Sequence, residues 1–146
     1  MKLYLARHAT PVSEDVDPER PLSGEGHMEA RKSAEKLKHI RPTRIYHSGK
    51  ARARQTAEAF SEATGAPLEH ADGLKPNDDP ALWAEKLKAA SVPEVMLVGH
   101  LPFMARLAGL LVDGDPDSLL VDFQPATVVM LESKDGVWML RGTFTP

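Results

Sequence analysis

Leu3-Tyr4-Leu5-Ala6-Arg7-His8-Ala9-Thr10 is a short apolar run that stops abruptly at an arginine and a histidine side by side. Bounded by polar residues and too brief for a helix, it reads as a buried strand over residues 2–7. Such a strand carries a cation and an imidazole to its own C-terminal tip. Two later stretches have the same form. Arg44-Ile45-Tyr46-His47-Ser48 runs into Gly49-Lys50-Ala51-Arg52, and Glu94-Val95-Met96-Leu97-Val98 runs into Gly99-His100. The last is almost continuously apolar, as a strand covered on both faces is, and is expected at the centre of a sheet.

Helical patterns alternate with these strands. Met28, Ala30, Ala34 and Leu37 recur at helical spacing over residues 25–39, and Pro42 enforces the break. Ala53, Thr56, Ala57 and Phe60 stripe a helix over 51–64 that Gly65 stops. Asp78 and Asp79 precede a helix over 80–90, and Pro102 suits the first turn of one reaching about residue 112. Residues 67–71 form a further short strand. The proline-bearing loop after Thr10, with Pro11, Pro18 and Pro21, is expected to be irregular. The tail is β-rich over 127–132 and 137–141, around the Asp135-Gly136 hairpin signal. The expected fold is α/β: a three-layer sandwich with a mainly parallel central sheet, helices on both faces and a C-terminal β-hairpin, in one domain spanning residues 1–146. Met28, Met96, Met104 and Met130 are expected to fill the core.

Composition narrows the chemistry. The 146 residues carry a formal net charge of -3, so no global basic field draws in nucleic acid or an anionic membrane, and any anion site must be local. Without cysteine there are no disulfides, thiolate metal sites or cysteine nucleophiles. The N-terminal apolar run is broken at Arg7, too early for a signal segment or a membrane span. A cytoplasmic protein is expected. His27, His39, His47 and His70 lack metal-ligand spacing, and no metal or cofactor is expected. Gly49-Lys50-Ala51 resembles the end of a nucleotide-binding P-loop. That reading fails, because Arg44 stands where its first glycine belongs and Ala51 where a magnesium-binding hydroxyl is needed.

Ligands of open α/β sheets collect at the carboxyl ends of the strands. Arg7, His8, Arg52 and His100 all follow strand ends, so residues dozens of positions apart can share one crevice. Two guanidiniums offer planar, bidentate contacts to phosphoryl oxygens. One imidazole can attack phosphorus and another can donate to an equatorial oxygen, and phosphoryl transfer needs little beyond such positioning and charge. Arg54, two positions past Arg52, reads as a solvated helix face.

Taken in order, Arg7-His8-Ala9, Arg52-Ala53-Arg54-Gln55-Thr56 and Gly99-His100 resemble the motifs of the histidine phosphatase superfamily, which has a phosphoglycerate mutase-like fold. The chain is most similar there to the small SixA-type phosphohistidine phosphatases. Pro21-Leu22-Ser23-Gly24-Glu25-Gly26 resembles the start of their first helix, Leu74-Lys75-Pro76 their Leu-x-Pro loop, and His100-Leu101-Pro102 their His-x-Pro. The resemblance runs from Lys2 into the C-terminal hairpin. It implies a metal-independent phosphatase in which His8 becomes transiently phosphorylated and Arg7, Arg52 and His100 hold the phosphoryl group, with Ser48 in the wall of the substrate site. Two positions depart from the pattern. Ala9 replaces a glycine, and no residue matches the acid with which mutase-type relatives protonate an alkoxide. Asp78 and Asp79 are the candidates for that acid and equally good helix caps.

Cleavage of phosphohistidine expels an imidazole and needs a proton donor far less than cleavage of an alkyl ester does. A site without an evident acid and a chain too short for large lids together favour phosphohistidine on a protein, such as a phosphotransfer or histidine kinase domain. Two alternatives stand beside it: a phosphomonoesterase for a small metabolite, and a phosphate-binding module without turnover. Intact Arg7, His8, Arg52 and His100 count against the module.

Overall fold

The computed structural model describes residues 1–146. Six strands, β1 (Lys2–Arg7), β2 (Ile45–His47), β3 (Leu68–His70), β4 (Glu94–Gly99), β5 (Val128–Lys134) and β6 (Val137–Phe144), form one sheet in the order β3-β2-β4-β1-β5-β6. The pairings β3/β2, β2/β4 and β4/β1 are parallel, and β1/β5 and β5/β6 are antiparallel. The expected parallel sheet finished by a hairpin is therefore present. Helices α1 (Gly24–Lys36) and α2 (Ala51–Thr64) cover one face, and α3 (Pro80–Ala89) and α4 (Phe103–Asp113) cover the other.

Strand alternation divides the core in two. Leu3 and Leu5 of β1 pack with Val95 and Leu97 of β4 against Trp83, Leu87, Phe103 and Leu107 of α3 and α4. Tyr4 and Ala6 pack with Met96 and Val98 against Ala34 and Leu37 of the α1 region and Ala53, Ala57 and Phe60 of α2. Because both faces are covered, β1 and β4 read as apolar runs without alternation, and they lie at the sheet's centre.

Several boundaries differ from the sequence reading. Helix α1 starts at Gly24, where the Ser23 hydroxyl accepts the Gly26 N–H at 3.0 Å, and it ends at Lys36, before Pro42 is reached. Met28 is 53% exposed on its outer side rather than in the core, because Ala30, Ser33 and Ala34 take the buried stripe. Pro102 occupies the N-cap of α4, one position before the first turn. Strand β6 runs three residues past Arg141, beyond an irregularity opposite Met130 and Leu131. Asp135 and Gly136 both have positive φ, as the tight hairpin turn between β5 and β6 requires.

Register brings three strand ends to one level. Arg7 pairs with Gly99, and His47 pairs with Val98. The residues that follow, His8, Ser48 and His100, therefore leave the sheet side by side.

Candidate active site

The His8 backbone N–H donates to the Gly99 carbonyl at 2.9 Å, which continues the β1–β4 ladder one step past Arg7. The His8 and His100 rings then face each other with centroids 5.0 Å apart. Both are buried. The Nδ1 atom of His8 lies 2.7 Å from the Ala9 carbonyl oxygen. A carbonyl only accepts, so Nδ1 carries the proton and Nε2 of the neutral ring keeps its lone pair. Burial lowers the His8 pKa to about 4, against the pull of the Ala9 carbonyl, and the charges of Arg52, Arg7 and Arg20 lower it further. At neutral pH the ring is uncharged.

His100 is held by Ser48, whose Oγ is 2.6 Å from Nε2. That oxygen also lies 3.4 Å from the Lys50 N–H, from which it accepts. The Ser48 hydroxyl keeps its own proton to donate to His100 Nε2, and in that arrangement the proton of the neutral His100 ring is on Nδ1. Burial, reinforced by His8, Arg52 and Lys50, lowers the His100 pKa to about 3.

One guanidinium nitrogen of Arg7, Nη1, donates to the Phe123 carbonyl at 2.9 Å, anchoring the side chain across the site. Arg52 projects from the first turn of α2. Only three buried side-chain polar atoms in the protein lack a hydrogen-bond partner: Arg7 Nε, Arg52 Nε and His100 Nδ1. A buried unpaired donor costs about 1–3 kcal/mol, and native proteins keep few of them. Here all three belong to residues singled out from the sequence, around the fourth, His8. Four residues from three segments thus meet, and Ser48 joins them through His100.

Asp78 and Asp79 are occupied elsewhere. Asp78 accepts the Lys75 N–H and Asp79 caps α3 by accepting the Ala81 N–H, each at 2.9 Å. Arg54 pairs with Glu58 at 2.9 Å on the exposed side of α2. Ala9 is fully buried, and its N–H donates to Thr56 Oγ1 at 3.0 Å. Gln55 Oε1 accepts the Leu22 N–H at 2.7 Å. The Gln55-Thr56 pair thus ties α2 to both ends of the loop that follows β1.

The sequence reading missed Arg20. It lies in the proline-bearing loop expected to be irregular, where Pro11 and Leu22 form an isolated bridge. Arg20 has φ of 47°, its Nε donates to the Val12 carbonyl at 3.2 Å, and its charge acts on both His8 and Arg52. A non-glycine residue in the left-handed region is uncommon and strained, which makes the position informative. A lone arginine among prolines and acids gave no periodic signal. Beside the site a cleft of about 410 Å³ is lined by Ser48, Arg52, Lys50, Lys75, His70, Glu19 and Asp72, among others. A larger hollow of about 800 Å³ lies at the opposite end of the sheet, near Met1, Pro93 and Trp138, and holds none of these residues.

The family model described as the histidine phosphatase superfamily (branch 1) matches residues 3–77, a span that contains Arg7, His8, Ser48 and Arg52. The chain belongs to the histidine phosphatase superfamily. Among solved structures it is similar to a putative phosphohistidine phosphatase SixA from Agrobacterium tumefaciens, with 29% identity and a TM-score of 0.81 over 99% of this chain and 97% of that one. The protein histidine phosphatase SixA complexed with tungstate superposes with a TM-score of 0.89 at 24% identity, over 99% of this chain and 97% of that one. A mycobacterial glucosyl-3-phosphoglycerate phosphatase shares the fold at 20% identity, with a TM-score of 0.74 over 95% of this chain and 96% of that one. No curated protein matches the chain by sequence. No helix is long and apolar enough to cross a membrane.

Proposed function

We propose that this superfamily member hydrolyses phosphohistidine on a partner protein, without a metal ion, through a covalent phosphohistidine on His8. The observation that carries the reading is the convergence of the three buried, unpartnered nitrogens of Arg7, Arg52 and His100 beside a neutral His8. They match what a phosphoryl group requires: donors fixed in place before its oxygens arrive.

His8 Nε2 attacks phosphorus in line, and the bond from phosphorus to the departing nitrogen breaks. The phosphorylated His8 ring becomes cationic, and its Nδ1–H already donates to the Ala9 carbonyl, which supports that charge. The guanidiniums of Arg7 and Arg52 and the Nδ1–H of His100 hold the equatorial oxygens. Water then attacks phosphorus, inorganic phosphate leaves and His8 returns to its neutral form. A phosphohistidine whose second ring nitrogen is protonated departs as neutral imidazole. No carboxylic acid is needed for that step, which agrees with the local duties of Asp78 and Asp79. The likeness to proteins named as phosphohistidine phosphatases supports the same substrate class.

A small anionic metabolite is the second reading. Lys50 and Lys75 in the 410 Å³ cleft favour it, since they offer charge to a further anionic substituent. A panel of a histidine-phosphorylated phosphotransfer domain, an aryl phosphate and alkyl phosphates of small metabolites separates the two. The first reading expects turnover of the protein and aryl substrates ahead of the alkyl phosphates, unchanged by chelators. His8→Ala is expected to abolish turnover and acid-labile labelling of the enzyme by phosphate. Full activity in that variant, or efficient alkyl phosphate hydrolysis that depends on Asp78 or Asp79, refutes the proposal.

A further inference from the structure

The turn between β2 and α2 delivers Ser48 to His100 and Arg52 to the pocket, and two histidines with no part in the chemistry above hold it. His47, the last residue of β2, is buried, and its Nδ1 accepts the Gly49 N–H at 3.1 Å. His70 ends β3 beside it in register, with the two rings stacked at a centroid distance of 5.9 Å and an interplanar angle of 13°. Gly49 has φ of +90°, and a Cβ there would stand 2.7 Å from His70 Nε2. The turn backbone is thus bonded to one imidazole and pressed against the other. Ser48 sits between them in sequence, with its hydroxyl 2.6 Å from His100 Nε2.

We propose that His47, backed by His70, is a positioning residue of the phosphate site: its neutral ring, through Gly49, fixes the Ser48 hydroxyl on His100 and so keeps the His100 proton on Nδ1. The inference deepens the phosphatase reading and rests on it. Because His47 Nδ1 is an acceptor, its ring proton lies on Nε2. Protonation would set an N–H against the Gly49 N–H and open the turn. The groups facing the ring are His70 from β3 and Arg54 and Glu58 from α2. Burial, then His70 and Arg54, push the His47 pKa down, and only Glu58 opposes them. The surroundings hold the ring in the form that the turn requires.

Three variants test this. In His47→Asn the amide oxygen replaces Nδ1 as acceptor and cannot titrate. His47→Leu keeps bulk but not the acceptor. His70→Ala removes an exposed ring. Each is measured by the 15N shifts of the His100 imidazole and by kcat and KM for 4-nitrophenyl phosphate across the acid range. His47→Leu is expected to move the His100 nitrogen shifts and to lower kcat about tenfold, as displaced catalytic groups do. His47→Asn is expected to restore both and to reduce the acid limb of kcat by one proton. His70→Ala is expected to act in the same direction as His47→Leu, more weakly. A folded His47→Leu with wild-type His100 shifts and wild-type kcat overturns the inference. Should that variant fail to fold, unchanged His100 shifts and kcat in His70→Ala overturn it instead. If the wild-type protein turns over no phosphate substrate, the functional reading falls, and the His100 shifts still decide the positioning role.

Discussion

Replacing Thr56 by valine removes one buried hydroxyl that bonds the residue after His8. Thr56 is fully buried, accepts the Ala9 N–H at 3.0 Å and donates to the Arg52 carbonyl at 2.8 Å. Valine preserves the shape, so the change isolates the hydrogen bonds. The Arg52 carbonyl loses only an extra donor, whereas the Ala9 N–H is left buried and unpaired, at a cost of about 1–3 kcal/mol. For a chain of this size 2 kcal/mol corresponds to a fall in Tm of roughly 4–8 °C. Activity suffers separately. The Ala9 carbonyl, on the next peptide unit, orients His8 through Nδ1, and a displaced ring lowers kcat about tenfold, with KM little changed because Arg7 and Arg52 stay in place. Thermal unfolding and steady-state kinetics on 4-nitrophenyl phosphate measure the two effects, and Thr56→Ser is expected to recover most of each. A Thr56→Val protein with wild-type Tm and wild-type kcat refutes the claim that this hydroxyl supports the nucleophile.

Arg52→Ala is expected to lower kcat/KM about a hundredfold, or about 2.7 kcal/mol of transition-state stabilisation, and Arg52→Lys not to restore it, because an ammonium lacks the planar fork; kinetics on an aryl phosphate checks both. Gly26→Ala would set a Cβ 2.0 Å from the Thr10 carbonyl oxygen, so urea unfolding is expected to show a loss of about 2 kcal/mol or more. His8 and His100 have folded pKa values of about 4 and about 3, below the usual 6.5 for histidine, so the unfolded chain binds the extra protons. Their contribution to stability is complete above about pH 6.5 and is lost as pH falls toward those values, by about 1.4 kcal/mol per pH unit for each ring. Urea titrations from pH 7 to 5 on the wild type and on His100→Asn are expected to differ in slope by about one proton.

The fold was legible because its strongest signals are local. An uninterrupted apolar run such as Val95–Val98 has one common explanation in a chain of this length, a strand covered on both faces, and alternation with helical stripes fixes the sandwich. The site was legible because its members follow strand ends, which register then aligns. Arg20 was not legible, because its place depends on a loop conformation with positive φ that no periodicity encodes. His47 and His70 were dismissed for lacking metal-ligand spacing, a test blind to two rings stacked across adjacent strands. Met28 was misplaced because helical spacing alone does not say which of two apolar stripes faces the sheet, and Ser33, bonded to the Ala126 carbonyl at 2.7 Å, took the inward position.

The same residues that make the pocket cationic keep its histidines neutral. Arg7, Arg52 and Arg20 all lower the basicity of His8, and Arg52 and Lys50 do so at His100, beyond what burial imposes. An imidazolium at either position would add a like charge in a buried space, so each resting ring holds a single proton: that of His8 faces the Ala9 carbonyl, and the Ser48 hydroxyl occupies Nε2 of His100. A phosphoryl dianion reverses that balance. In the proposed reaction its charge would offset the guanidiniums and make protonation of His100 less costly, and its oxygens would accept from the nitrogens that have no partner. Nucleophilicity at His8 and charge complementarity toward phosphate are often in conflict, since a field that attracts an anion also suppresses a base. Under the proposed function the two are reconciled by direction: the arginine nitrogens without partners would serve the phosphoryl oxygens, while the carbonyl of Ala9, a residue whose N–H is held by Thr56, supports the one proton that His8 keeps.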